Sequence, residues 1–171
     1  TISFFNGTAD SGDSIVHYMF AKYAPSHPKL FFDHWAKPLF VILASPFAQL
    51  GFIGMKIFNS IISLIAIYFT YKVTELLKIR NAIFVIIIMM FAPLNYILTF
   101  SGLTEPLFAL FLIIGVYYCL KEKYFIAALI ISFLPYVRSE GLIIAGVFGL
   151  YFLYKRKWKP IPWLLAGSVF F

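Results

Sequence analysis

Long apolar runs separated by short polar loops dominate the chain after residue 52. A helix needs about 20 mostly apolar residues to cross a bilayer. Runs of this kind are predicted at 53–71, 82–100, 103–120, 124–137, 141–154 and 161–171 onward. Two of them, 124–137 and 141–154, are short, but they reach across if flanking lysines extend to the head groups. The pattern predicts an all-α, polytopic transmembrane helical bundle.

The first 52 residues follow a different pattern. Residues 1–37 are the most polar part of the chain, and apolar positions recur with helical spacing over 14–23. The apolar run 38–50 is too short to span and contains Pro46. We therefore expect an outer loop over 1–52 with amphipathic, interfacial or re-entrant helices, followed by the bundle over 53–171. The chain lacks an initiator Met and stops within an apolar run, which predicts a truncation at both ends.

Composition narrows the class of protein. The chain is 62% hydrophobic and 12% charged, whereas soluble domains are about 45–50% apolar and about 25% charged. These values exclude a soluble enzyme and favour an integral membrane protein. The net charge of +7 is explained by lysines that anchor loops, and the basic loops lack the interleaved aromatics of a nucleic-acid surface. We expect no nucleic-acid partner.

Basic residues occupy every second loop. Nine of the 14 lie within 72–80, 121–123 and 155–159, while five of the seven acids lie in the alternate loops and the first 37 residues. Cytoplasmic loops are enriched in Lys and Arg. The chain is therefore predicted to be a multi-pass protein of the bacterial cytoplasmic membrane, with a polar site on the outward face.

The first candidate site residues are acids near the start of the chain. Asp10 and Asp13 precede or begin a predicted helix, and His17 follows Asp13 by one helical turn. Asp13 could serve as a general base or could cap the helix. His17 could orient Asp13, contact a substrate hydroxyl or simply lie at the membrane interface.

The other candidates lie in later outer loops. Glu105 begins an apolar span, where an ionised group is costly and usually functional. Arg138 could bind a phosphate or form an internal ion pair with Glu140 or Glu105. Lys37 could bind substrate or anchor to lipid head groups. Substrate-binding candidates are therefore Arg138, Glu140, His17, Lys37 and His34, the last in an interfacial aromatic segment.

The order of the acidic, interfacial and basic motifs along the chain resembles that of the GT-C superfamily of membrane glycosyltransferases. This superfamily includes protein O-mannosyltransferases, dolichol-phosphate-mannose mannosyltransferases and lipid A aminoarabinose transferases. The similar segments are Asp10-Ser11-Gly12-Asp13, His27-Pro28, the Thr-Glu-Pro-Leu-Phe run 104–108, and the Arg-x-Glu-Gly link 138–141.

The resemblance implies a lipid-linked donor, namely a sugar on a polyprenyl phosphate, and an acceptor glycan, lipid or protein. An acceptor hydroxyl attacks the anomeric carbon with inversion, with catalytic residues among Asp13, Asp10 and Glu105. Some relatives use a divalent cation such as Mg²⁺ or Mn²⁺, which Asp13 and Glu105 could bind. The alternative is a non-catalytic protein, either a degenerate GT-C-like or transporter-like subunit of a membrane complex.

Overall fold

The computed structural model describes residues 12–171, which are all-α and contain no strand. Asp10 lies outside the described residues. The α-helices are α1 (Asp13–Tyr23), α2 (Pro38–Ala48), α3 (Phe52–Leu76), α4 (Ile83–Phe91), α5 (Pro93–Thr99), α6 (Glu105–Leu120), α7 (Tyr124–Ile131) and α8 (Gly141–Tyr154). Shorter 3-10 helices cover Pro28–Phe32, Leu134–Tyr136 and Ile161–Val169.

The segment 82–100 is not one continuous helix as expected, because the helix breaks near its middle. Ala92 leaves the helical region with φ −61° and ψ 122°, and Pro93 then begins α5. A residue before proline avoids the helical conformation, and proline has no N–H to donate. Similarly, the segment over 124–137 divides into α7 and a 3-10 turn. Within the described part of the chain, α3 alone is both long and apolar enough to cross a membrane.

Two buried clusters hold the helices together. The first joins α2, α3 and α6 through Phe40, Met55, Phe58 and Leu107. The second joins α6, α7 and α8 through residues that include Ile131, Leu134, Phe148 and Phe152. The α3–α6 pair is therefore the centre of the fold, and α1 and α2 pack against one end of it.

Hydrogen bonds between buried polar groups stabilise the end of the α3–α6 pair against which α1 and α2 pack. The Asn59 side chain of α3 is fully buried and donates to the carbonyls of Ser101 (2.9 Å) and Leu103 (3.0 Å). The Gly102 N–H donates to the Ser14 hydroxyl of α1 at 2.9 Å. A side chain at Gly102 would place its Cβ 2.6 Å from the Ser14 carbonyl oxygen, so only glycine allows this approach. These bonds hold the start of α1 beside the start of α6.

The C-terminal ends of α3, α6 and α8 are followed by the basic loops. Two residues beyond the end of each helix lies a charged residue in the left-handed region, namely Lys78 (φ 54°), Glu122 (φ 58°) and Arg156 (φ 55°). Glycine is the usual residue at this position. Lysines at these ends also lie over tyrosine rings, as Lys121 does over Tyr117 at 4.7 Å. Cations and aromatic rings therefore share one end of the bundle.

Large apolar side chains remain uncovered along several helices. Phe91 of α4 is 76% exposed and Ile143 of α8 is 70% exposed. Leu150, two turns further along α8, is 68% exposed. Exposed apolar surface of this extent marks contact with lipid or with another protein.

Candidate functional site

A polar cleft of about 220 Å³ opens at the end of the bundle where α1 meets α6. It brings together residues that lie far apart in the sequence. Its lining comprises Asp13, His17, Trp35, Lys37, Thr104, Arg138, Ser139 and Glu140. Five of these were candidate residues from the sequence, and Glu105 joins them through its ion pair with Arg138.

Four helices begin at this cleft. Asp13 is the first residue of α1, and Lys37 directly precedes α2. Thr104 directly precedes α6, and Glu140 directly precedes α8. Helix N-termini present unpaired N–H groups and the positive end of the helix dipole. The helix starts therefore favour negative charge in the cleft, part of which Asp13, Glu105 and Glu140 already supply.

Asp13 is exposed in the cleft and is not a helix cap. The cap position of α1 belongs to Gly12, with φ 109°, and no side-chain cap hydrogen bond forms there within the described residues. The capping interpretation of Asp13 is therefore wrong. Among the described residues Asp13 has no hydrogen bond or ion pair, so its carboxylate is available to an incoming group.

Arg138 forms the internal ion pair that the sequence left as an alternative. One guanidinium nitrogen pairs with Glu105, and another donates to Glu140 at 2.8 Å. The bond to Glu140 is the main cause that raises the pKa of Arg138, and the same bond lowers the pKa of Glu140. The second oxygen of Glu105 is buried without a partner among residues 12–171. Arg138 therefore balances acids from two loops.

His17 lies beneath the cleft between aromatic rings. It is 7% exposed, stacks on Trp35 at 5.0 Å and meets the edge of Phe40 at 5.4 Å. Its Nδ1 has no hydrogen-bond partner within the described residues. Burial lowers the pKa of His17, and the charges of Asp13 and Glu105 oppose that shift only in part. A neutral imidazole is therefore favoured in the folded protein.

This lowered pKa predicts a pH-dependent stability. As pH falls below about 6.5, the unfolded chain takes up a proton at His17 that the folded chain resists, so the free energy of unfolding decreases. His17→Gln should flatten the fall in thermal midpoint between pH 7 and pH 5.5. His34→Gln, at an exposed histidine of the same outer region, should leave it unchanged. Identical pH profiles for all three proteins would contradict this prediction.

Lys37 connects the segment before α2 to the Arg138 turn. Its ammonium donates to the Ser139 hydroxyl at 2.8 Å. Its backbone has φ 66° immediately before Pro38, a conformation that a non-glycine residue rarely adopts. Such strain persists where the surrounding structure enforces it, often at a functional site.

The structure leaves one candidate outside the site and adds others. His34 is exposed and does not line the cleft. Trp35, Thr104 and Ser139 line it but were not singled out from the sequence. The sequence signal for Thr104 and Ser139 was their place beside Glu105 and Arg138.

A divalent cation does not fit the described residues. Within residues 12–171 no three His, Cys, Asp or Glu side chains are grouped so as to hold a metal ion. Of the pair suggested by the sequence, Glu105 is engaged by Arg138.

Comparisons with protein-family models, with curated proteins and with solved structures find no match to this chain.

Proposed function

We propose that the chain is part of a multi-pass membrane glycosyltransferase of GT-C type. It moves a sugar from a polyprenyl-phosphate donor to an acceptor hydroxyl on the extracytoplasmic face. The observation that carries this proposal is the cleft, where Asp13, a carboxylate unpaired among the described residues, and a cation, Lys37, lie at converging helix starts.

The arrangement of the helices supports membrane insertion. Both α6 and α8 begin at the cleft and end at the basic loops. At 1.5 Å per residue, the 16 residues of α6 extend about 24 Å, which is shorter than a bilayer core of about 30 Å, so flanking lysines would have to reach the head groups. Their exposed apolar side chains suit contact with lipid. Because basic loops face the cytoplasm, the cleft would face outward.

The cleft offers groups for an inverting transfer. The Asp13 carboxylate accepts the proton of the acceptor hydroxyl while that oxygen bonds to the anomeric carbon. The bond from the anomeric carbon to the phosphate oxygen breaks, and the polyprenyl phosphate leaves with the electron pair. Lys37, the helix starts and the remaining N–H groups of Arg138 stabilise its charge. The neutral His17 imidazole and the Glu140 carboxylate can contact sugar hydroxyls.

A second candidate is a non-catalytic, GT-C-like subunit of a membrane complex. The observation that favours it is the pairing of Arg138 with both Glu105 and Glu140. A cation already balanced by two carboxylates can serve stability alone.

Cysteine labelling tests the proposed sidedness. The native Cys119, which is buried, is first replaced by Ser in the full-length protein. We expect Ser139→Cys to react with an impermeant maleimide in intact cells, since Ser139 lines the cleft. Glu122→Cys, at a basic loop, should react only after the membrane is permeabilised. The reverse pattern would place the cleft in the cytoplasm and remove the proposed function.

A further inference from the structure

A cavity of about 690 Å³ lies at the other end of the bundle from the cleft. It forms between the start of α7 and the segment that follows α8. We call it the basic pocket, with lining residues Glu122, Lys123, Tyr124, Phe125, Ile126, Arg156, Lys157, Trp158, Lys159 and Pro160. None of them belongs to the cleft.

The charge of the basic pocket is unbalanced. Four cations line it against one acid, Glu122. Among the described residues, no acid forms an ion pair with any of these cations. Cations held together repel one another unless an anion lies between them.

The walls of the pocket are built by defined turns. The Lys123 N–H donates to the Tyr118 carbonyl at 2.9 Å, and the Lys157 N–H donates to the Phe152 carbonyl at 2.8 Å. The Lys157 ammonium lies 5.7 Å from the centre of the Tyr124 ring. The two backbone bonds fix the turn after each helix, and the contact between Lys157 and Tyr124 links the two basic loops.

The rest of the lining is apolar. Phe125 and Ile126 line the pocket on one side, and Trp158 and Pro160 line it on the other. Trp158 is 66% exposed, which suits an aromatic ring at the membrane interface. A ligand with an anionic head and an apolar chain matches both parts of this surface.

We propose that the basic pocket binds the phosphate-bearing head group of an anionic lipid of the cytoplasmic leaflet. Lys123, Arg156, Lys157 and Lys159 surround the phosphate, and the acyl chains lie along Phe125 and Ile126. Basic pockets between membrane helices on this side are suited to such head groups. The proposal rests on membrane insertion but not on the transferase reaction, because it uses no cleft residue.

Native mass spectrometry of the detergent-solubilised full-length protein tests this site without any sugar donor. Phosphatidylglycerol, phosphatidylcholine and inorganic phosphate are titrated separately, and thermal melting confirms that each variant is folded. We expect wild-type protein to retain phosphatidylglycerol in preference to phosphatidylcholine. The double variant Lys123→Gln/Lys157→Gln should bind phosphatidylglycerol at least about tenfold more weakly.

The control removes the same charge from another basic loop. The double variant Lys78→Gln/Arg80→Gln changes two exposed cations outside the pocket, and its affinity should stay within about twofold of wild type. Equal weakening of both variants would overturn the proposal, because it would show attraction to the general surface charge. Inorganic phosphate that binds as tightly as the lipid would also overturn it.

Discussion

Asp13→Asn is expected to reduce kcat at least about a hundredfold, since a positioned general base contributes about 10²–10⁴-fold to rate. The amide cannot accept the proton of the acceptor hydroxyl. The fold should survive, because Asp13 caps no helix and has no partner among the described residues. Donor affinity should be retained, since the lysine and the helix starts are unchanged. Donor turnover and thermal melting of the purified full-length variant measure the two effects.

The matched control is Asp33→Asn, which makes the same change in the same outer region. The Asp33 side chain accepts the N–H groups of Trp35 (2.9 Å) and Ala36 (3.1 Å), and an amide oxygen can keep those bonds. Its kcat should remain close to that of wild type, and Asp10→Asn should lose less than Asp13→Asn. Normal turnover by Asp13→Asn together with loss in Asp10→Asn would move the role of base to Asp10.

Arg138→Ala is expected to lower both stability and turnover. Removing the guanidinium leaves Glu105 and Glu140 without their shared cation, and one Glu105 oxygen is already buried without a partner among residues 12–171. The side chain of Arg138 is 29% exposed. We therefore expect a loss of about 1–3 kcal/mol, below the cost of breaking a fully buried pair. Arg138→Lys keeps the charge but cannot contact both glutamates through two planar nitrogens. Its loss of stability should therefore lie between those of wild type and Arg138→Ala.

Lys72→Ala provides the comparison for a surface ion pair. Lys72 pairs with Glu75 at 2.8 Å, one turn further along α3. Both side chains are more than a third exposed. Exposed pairs contribute about 0.2–1 kcal/mol. Denaturant unfolding in detergent should therefore rank Arg138→Ala as clearly more destabilising. Equal stability of the two variants would contradict the view that Arg138 holds the acids of the cleft together.

The helical segments were largely predictable because apolar runs bounded by charges determine where helices form. The predicted limits of α8 match the structure, as does the start of α1 to within one residue. The break at Ala92 was not predicted, although Pro93 was its visible cause. The break lies inside an otherwise continuous apolar run. The hydropathy of the side chains there gives no sign of a lost backbone hydrogen bond.

The site was predictable in membership but not in pairing. Candidate residues from separate loops were expected to meet, and five of the eight line the cleft. The choice between phosphate binding and an ion pair for Arg138 depended on distances that sequence does not provide. The approach of Ser14 to Gly102 was likewise hidden, because 88 residues separate them. Asn59 was visible as a polar residue within an apolar span, but its carbonyl partners were not.

Release of polyprenyl phosphate from a labelled polyprenyl-phosphate sugar tests the central claim most directly. The full-length protein in membranes is incubated with donor and acceptor, and the freed lipid phosphate is counted beside that of Asp13→Asn and Asp33→Asn. We expect release by wild type and Asp33→Asn, a loss of about a hundredfold or more in Asp13→Asn, and an inverted anomeric centre in the product. Absence of release by wild type, or equal release by all three proteins, would contradict a transferase centred on this cleft.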